Sequence, residues 1–294
     1  MKRFSIGFLT LALATVALAQ RDFSNVAVTA TKVSGNIYML VGAGGNIGVT
    51  AGEDGIVIVD DQYAPLAPKI KEALRALTDK PLRFVLNTHF HPDHTGGNEI
   101  FGEQAPIVAH TNVRKRLVSG ATLFGEKVPP APKAALPVLT FDDKVSIHIN
   151  GEEVRAVHFP HGHTDGDLVI YFTQSNVVHM GDHFFNGMFP FIDIDNGGSV
   201  LGMLKNLETI HGSLPADVKI IPGHGPLATK DDLARAITVL RETTAVVREG
   251  IRKGKSLEQL KEEKVLAKYE EWGKGFMKTD FFMEILYRDL SQKK

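Results

Sequence analysis

The sequence predicts an α/β fold in which two β-sheets pack together with helices on the outside. Two observations carry this reading. The chain consists of two successive blocks, each a set of short apolar runs followed by helical spacing, an order that suits paired sheets with outer helices. In addition, four of the apolar runs end in His or Asp beside glycine, so that polar groups collect at strand ends.

The first 19 residues read as an export signal. Lys2 and Arg3 form a short positive region, Phe4 to Leu18 is apolar but short for a bilayer span, and Ala17-Leu18-Ala19 fits a signal-peptidase site with Gln20 as the new N-terminus. An uncleaved N-terminal anchor is the alternative. Cleavage would make the protein periplasmic or secreted, with no membrane contact afterwards. Residues 20–294 are then expected to form a single domain, large enough for a sizeable core.

The whole chain has a formal net charge of −1, and no basic cluster suggests a nucleic-acid partner. A small-molecule substrate is the expected partner, and nothing in the pattern specifies an oligomer. Cysteine is absent, so disulfides play no part and any metal must be held by nitrogen and oxygen.

Along the chain, Val26 to Gly42 alternates as a strand region, Gly42 to Gly45 is a flexible turn, and Asp54-Gly55 marks a hairpin before Ile56 to Asp60. Pro65 to Leu77 has helical spacing (Ile70, Ala73, Leu74, Leu77), and Leu82 to Leu86 is a strand. A short strand at 106–110 and a helix at 111–117 precede a proline-containing loop at 119–137. Later strands are expected at 145–150, 154–159, 168–172, 177–180 and 218–221, with helices at 200–211, 230–249 and 276–290.

The chemistry is concentrated at residues 87 to 98, Asn-Thr-His-Phe-His-Pro-Asp-His-Thr-Gly-Gly-Asn, directly after the strand at 82–86. His89, His91, Asp93 and His94 fall within six positions, and imidazoles gathered this closely commonly share a metal. Three later segments have the same form: Phe159-Pro160-His161-Gly162-His163-Thr164-Asp165, Val177-Val178-His179-Met180-Gly181-Asp182-His183 and Ile220-Ile221-Pro222-Gly223-His224-Gly225. The flanking glycines allow a sharp turn and close backbone approach at each strand end.

These motifs resemble, in order, the signatures of the metallo-β-lactamase superfamily: His89-x-His91-x-Asp93-His94, Gly162-His163-Thr164, Gly181-Asp182 and Gly223-His224-Gly225. The resemblance implies an αββα sandwich with two metals at one edge. His89, His91 and His163 would hold one zinc, Asp93, His94 and His224 a second, and Asp182 would bridge them. Iron or manganese also suits such a nitrogen/oxygen set. Asp60, at a strand end, resembles the family's carboxylate that orients a ligand imidazole, and reads equally well as a simple turn residue. His161 and His183 lie beside ligands as pocket-lining or structural residues, while His110, His148, His158, His179 and His211 read as structural.

The implied reaction is hydrolysis, with a metal-bridging hydroxide attacking the carbonyl of a β-lactam, lactone, thioester or other ester, and with Asp93 orienting the nucleophile. Two departures weaken the β-lactam reading. Asp182 stands where the best-known β-lactamases carry Cys or Ser, and Phe185 stands where one branch uses Lys to grip a carboxylate. The run His183 to Phe191, including Phe184 and Phe185, reads either as pocket wall or as ordinary core. Asn186 and Asn196 are candidate oxyanion donors, and the turn at 42–45 and the loop at 119–137 are candidate lids. Alternatives are an iron-dependent redox member of the superfamily and a periplasmic accessory protein of sulfur or alcohol oxidation.

Overall fold

Alternation within the strands sorts the apolar side chains into layers. Val57 and Val59 point to one face of their strand and Ile56 and Ile58 to the other, and all four are buried. A strand buried on both faces belongs inside a layered fold, and the computed structural model, which describes residues 22–292, has that form. The proposed export signal at 1–19 lies outside the described residues.

The first sheet contains β1 (Thr29–Ser34), β2 (Ile37–Val41), β3 (Ile47–Gly52), β4 (Gly55–Val59), β5 (Leu82–Leu86) and β6 (Ile107–His110). A separate two-stranded hairpin follows, β7 (Ala121–Leu123) with β8 (Glu126–Val128), before β9 (Leu139–Phe141) closes the first sheet in the order β1-β2-β3-β4-β5-β6-β9. The first four strands are antiparallel, and β4, β5, β6 and β9 run parallel. Helix α1 (Ala67–Leu77) makes the crossover from β4 to β5, and the short α2 (Pro92–Thr95) and α3 (Asn98–Phe101) and then α4 (Thr111–Ser119) follow.

The second sheet runs in chain order: β10 (Lys144–Ile149), β11 (Glu152–His158), β12 (Leu168–Phe172), β13 (Val177–His179), β14 (Lys219–Ile221) and β15 (Ala228–Thr229). It is covered by α5 (Val200–Ser213), α6 (Lys230–Arg252), α7 (Leu257–Glu262) and α8 (Thr279–Gln292).

Three apolar layers result. Val57, Leu86, Val154, Ile170, Phe172 and Ile221 fill the space between the sheets. Ile47, Ile58, Ile70 and Leu74 join the first sheet to α1. Val178, Met203, Leu240, Phe282 and Leu286 join the second sheet to its helices. Each fully buried side chain of this size contributes about 1.5–3 kcal/mol. The expected αββα sandwich is therefore the observed architecture.

Beyond short added elements at 92–101, 139–141 and 257–262 and a last helix that begins at Thr279, two regions differ from the sequence expectation in an instructive way. The strand region at 26–42 is two strands, because Gly35 turns the chain at φ +51°. The loop at 119–137 contains the hairpin β7–β8, turned by Phe124 and Gly125 with φ of 51° and 82°. That pair of positive angles matches the twist of a two-residue hairpin, and the three-residue arms are too short to show alternation.

Candidate metal centre

Strand direction brings the polar loops together. β4 runs parallel to β5, so Asp60 and the His89 to His94 turn leave the first sheet at the same edge. β11 and β13 are both antiparallel to β12, and β14 is parallel to β13, so the loops carrying His163, Asp182 and His224 also leave together. Ligand atoms of His89, His91, His163 and Asp182 lie within 4.8 Å of one another, as do those of Asp93, His94 and His224.

Asp182 faces both groups. Its Oδ2 is 3.8 Å from His89 Nε2 and 3.5 Å from His163 Nε2, while its Oδ1 is 3.1 Å from His94 Nε2 and 3.4 Å from His224 Nε2. Asp93 Oδ2 lies 3.4 Å from His224 Nε2 and 3.6 Å from His94 Nε2.

The nitrogens turned away from this cluster are held by acceptors, which fixes the tautomers. The Thr88 hydroxyl donates to Asp60 Oδ2 at 2.7 Å, so it accepts from His89 Nδ1 at 3.0 Å. His91 Nε2 donates to Asp193 Oδ2 at 2.9 Å, and His163 Nδ1 to the Phe191 carbonyl at 2.8 Å. His94 Nδ1 donates to Asp60 Oδ2 at 2.7 Å. His89, His91 and His163 therefore each aim a bare lone pair inward, while His94 turns its Nε2 towards Asp182 and Asp93. His163 Nε2 and His91 Nδ1 approach to 2.8 Å with no N–H left between them, and His89 Nε2 and Asp182 Oδ1 are buried without a hydrogen-bond partner. Converging lone pairs and carboxylates with no donor between them suit a cation, and the residues fit the divalent metal that the motifs imply.

The electrostatics agree. Burial, reinforced by the neighbouring imidazoles, pushes His89 well below the usual imidazole range, and burial also lowers His163 despite Asp182. Burial opposes protonation of His94 as well, but Asp182, Asp93 and Asp60 overcome it and hold His94 well above the range. Asp182 and Asp93 likewise overcome burial at His224, raising it to about 9. Burial works against ionisation of Asp93 too, yet His94 and His224 bring it down to about 2. The site is thus built to hold positive charge between carboxylates.

Close backbone packing supports these positions. A Cβ at Gly45 would run into the His94 ring, and one at Gly223 into Asp182 Oδ1. The turn at 42–45, expected as a candidate lid, is tied down: Gly45 N donates to the Asp93 carbonyl and Gln62 Nε2 to the Gly45 carbonyl.

Among the other predicted site residues, Asp60 takes the orienting place described above. Phe184 and Phe185 are both buried in the core under the helices, and Phe185 also stacks on His224 with ring centroids 5.1 Å apart. His183 is buried beside Asn206, which approaches its Nε2 to 3.2 Å, and burial pushes it down to about 3, so it stays neutral. Asn186 is at the surface side of its loop and donates to the Pro226 carbonyl. The amide of Asn196 donates to Asp193 Oδ2 at 2.7 Å and to the Thr122 carbonyl at 2.8 Å, so it stands behind the His91 support, with no N–H remaining for an oxyanion. Thr88 and Asp193 were not singled out by the sequence reading. A Thr before the first His and an Asp within Phe191-Ile192-Asp193-Ile194 carry no signal that separates them from ordinary strand and turn residues.

A family model described as the metallo-beta-lactamase superfamily matches residues 30–233. A hydroxyacylglutathione hydrolase of Pelagibacter ubique is 29% identical over 157 residues, covering 52% of this chain and 57% of that protein. The chain spans less than two thirds of the length of the first curated relatives it matches. A probable metallo-hydrolase of Methanocaldococcus jannaschii is 27% identical over 208 residues, covering 67% of this chain and 90% of that protein. Among solved structures, a metallo-beta-lactamase from Pontibacter korlensis aligns with a TM-score of 0.63 at 16% identity, covering 73% of this chain and 99% of that one, a likeness of fold. The family match over residues 30–233, on a sandwich with these strand-end His and Asp clusters, establishes that the chain belongs to the metallo-beta-lactamase superfamily.

Proposed function

We propose that this protein is a hydrolase that binds two divalent cations, zinc for preference, and cleaves an ester, thioester or lactone. The observation that carries the reading is the pair of adjacent ligand groups facing opposite oxygens of Asp182. His89, His91 and His163 would hold one cation, Asp93, His94 and His224 the other, with Asp182 shared. A set of five imidazoles and two carboxylates suits zinc. A bound divalent cation supplies Lewis acidity and a water acidified towards neutral pH.

The chain's own residues supply the rest. Asp60 and Asp193 hold His94 and His91 in one tautomer and one orientation, which keeps the inward nitrogens basic. Asp93 is anionic at neutral pH, and its side chain is 23% exposed, so it can accept a hydrogen bond from an attacking water and orient it at the mouth of the site. Phe185 on His224 gives that side of the site an apolar wall in place of a cation, which disfavours substrates that must be held through a carboxylate of their own. Relatives named as hydroxyacylglutathione hydrolases support a hydrolytic reading of the same framework. We further place its action in the periplasm or outside the cell, on the strength of Lys2 to Ala19, a reading that cell fractionation tests.

The test compares zinc-loaded protein with the His91→Ala variant on 4-nitrophenyl acetate, a thioester and a chromogenic cephalosporin. Ester or thioester turnover that is lost in the variant supports the reading. Equal turnover by both proteins, or activity confined to the cephalosporin, contradicts it.

A further inference from the structure

Among the described residues, the exposed large aromatic side chains are Phe124, Phe276 and Phe281, and all three meet at one place. Phe124 stacks on Phe191 with ring centroids 4.5 Å apart, and lies 5.9 Å from Phe276 and 6.1 Å from Phe281. Phe191 in turn stacks on His91 at 5.8 Å and meets His163 edge-on at 5.6 Å. A single ring thus links two imidazoles of the first ligand group to a solvent-facing aromatic patch. Hairpin, loop and C-terminal helix region, distant in sequence, each contribute a ring to it. Contiguous apolar surface left in water marks a binding site more often than chance.

Two further features show that the patch is built. Phe124 holds φ at +51°, the left-handed conformation that its two-residue turn requires and that Asn or Gly usually fills, so an aromatic ring stands where the turn alone would not select one. The hairpin carrying it is also bonded to the metal centre: the Thr122 carbonyl accepts from Asn196, Asn196 donates to Asp193, and Asp193 accepts from His91. Charge offers no competing use. Arg116, on the helix before the hairpin, is committed to both carboxylate oxygens of Asp165 and to Asn196 Oδ1.

We propose that Phe124, Phe191, Phe276 and Phe281 form a subsite for an alkyl or aryl chain attached to the scissile carbonyl, with Phe124 as the flap. The substrate is then an ester with an apolar acyl chain. This inference rests on the hydrolase reading, and the experiment separates the two.

Binding of 2-butanone, 2-hexanone and 2-octanone, which cannot be hydrolysed, is measured by ligand-detected NMR on the zinc-loaded full chain. In parallel, kcat/KM is measured for 4-nitrophenyl acetate, butyrate and octanoate. Complete burial of the chain would raise affinity by about fourfold per methylene, so the expected gain from butanone to octanone is roughly tenfold or more. Phe124→Ala combined with Phe281→Ala should remove most of that gain, Phe124→Leu should restore part of it, and Val138→Ala, an exposed site outside the patch, should keep it. Ketone affinity that ignores chain length, or a gain unchanged in the double variant, overturns the proposal. A gain with ketones but no turnover of any ester, thioester or lactone leaves the subsite standing and sinks the hydrolase reading. Ester turnover with no chain-length gain does the reverse. Sedimentation velocity covers the remaining occupant: a dimer that the double variant dissociates, without ketone binding, assigns the patch to a second copy and overturns the subsite.

Discussion

The two ligand groups differ in depth and in support. His89, His91, His163 and Asp182 are all buried, and the outer nitrogen of each imidazole is held by Thr88, Asp193 or the Phe191 carbonyl. In the second group only His94 is buried and carboxylate-supported, while Asp93 and His224 are partly open and His224 rests against Phe185. One edge of the fold thus offers a rigid position and a more open one side by side. The first should hold its cation tightly, and the second should exchange with solvent.

The largest effect is expected from Asp182→Ala, which removes the carboxylate common to both groups. Loss of a partner behind a ligand commonly costs 10–100-fold in metal affinity or activity, so loss of a shared ligand should cost more, about a thousandfold in kcat/KM. Metal content near wild type in this variant would break the comparison at its centre. His224→Ala should come next. Under mild chelation it should lose the second cation and keep the first, as read by metal analysis; equal loss from both groups would contradict the difference in depth.

The same contrast should appear in pH. In the metal-free chain, carboxylates overcome burial and keep a proton on His224 up to about 9, while burial pushes His89 and His163 below the usual range. A cation entering the second group must displace that proton, so its affinity should rise steadily with pH from 6 to 9. The first group should change less above pH 7. Parallel pH profiles for the two binding steps, measured by calorimetry, would remove the electrostatic part of the account.

Much of this was readable before the fold was known, for a physical reason. Ligands at strand ends need apolar strands before them and glycines around them, and both leave marks in the sequence, as at His89 to Gly97 and at Gly223-His224-Gly225. Asp60 was readable as one of two alternatives. The hairpin at 121–128 was not, because its three-residue arms show no periodicity and its turn uses Phe124 where Asn or Gly would be expected. Asp193 was not either. Its role depends on a loop folding back so that a residue 102 positions from His91 reaches the imidazole, a long-range contact with no local pattern.

Smaller effects refine the comparison. Asp60→Asn should weaken the second group by about 10–100-fold, because an amide cannot accept from His94, Thr88 Oγ1 and Thr88 N as the carboxylate does. Asp193→Asn should cost the first group less, about tenfold or below, since the amide oxygen can still accept from His91 Nε2. The reverse order would show that the charge of Asp193, and not only its acceptor oxygen, supports the first group.

The central claim is that two cations share Asp182. It is tested most directly by anomalous diffraction at the zinc edge from crystals grown with zinc. The account predicts two peaks, one among His89, His91 and His163 and one among Asp93, His94 and His224, with Asp182 between them and the second peak weakening first as chelator is added. A single peak in either group, with the other filled only by hydrogen-bonded side chains, would contradict it.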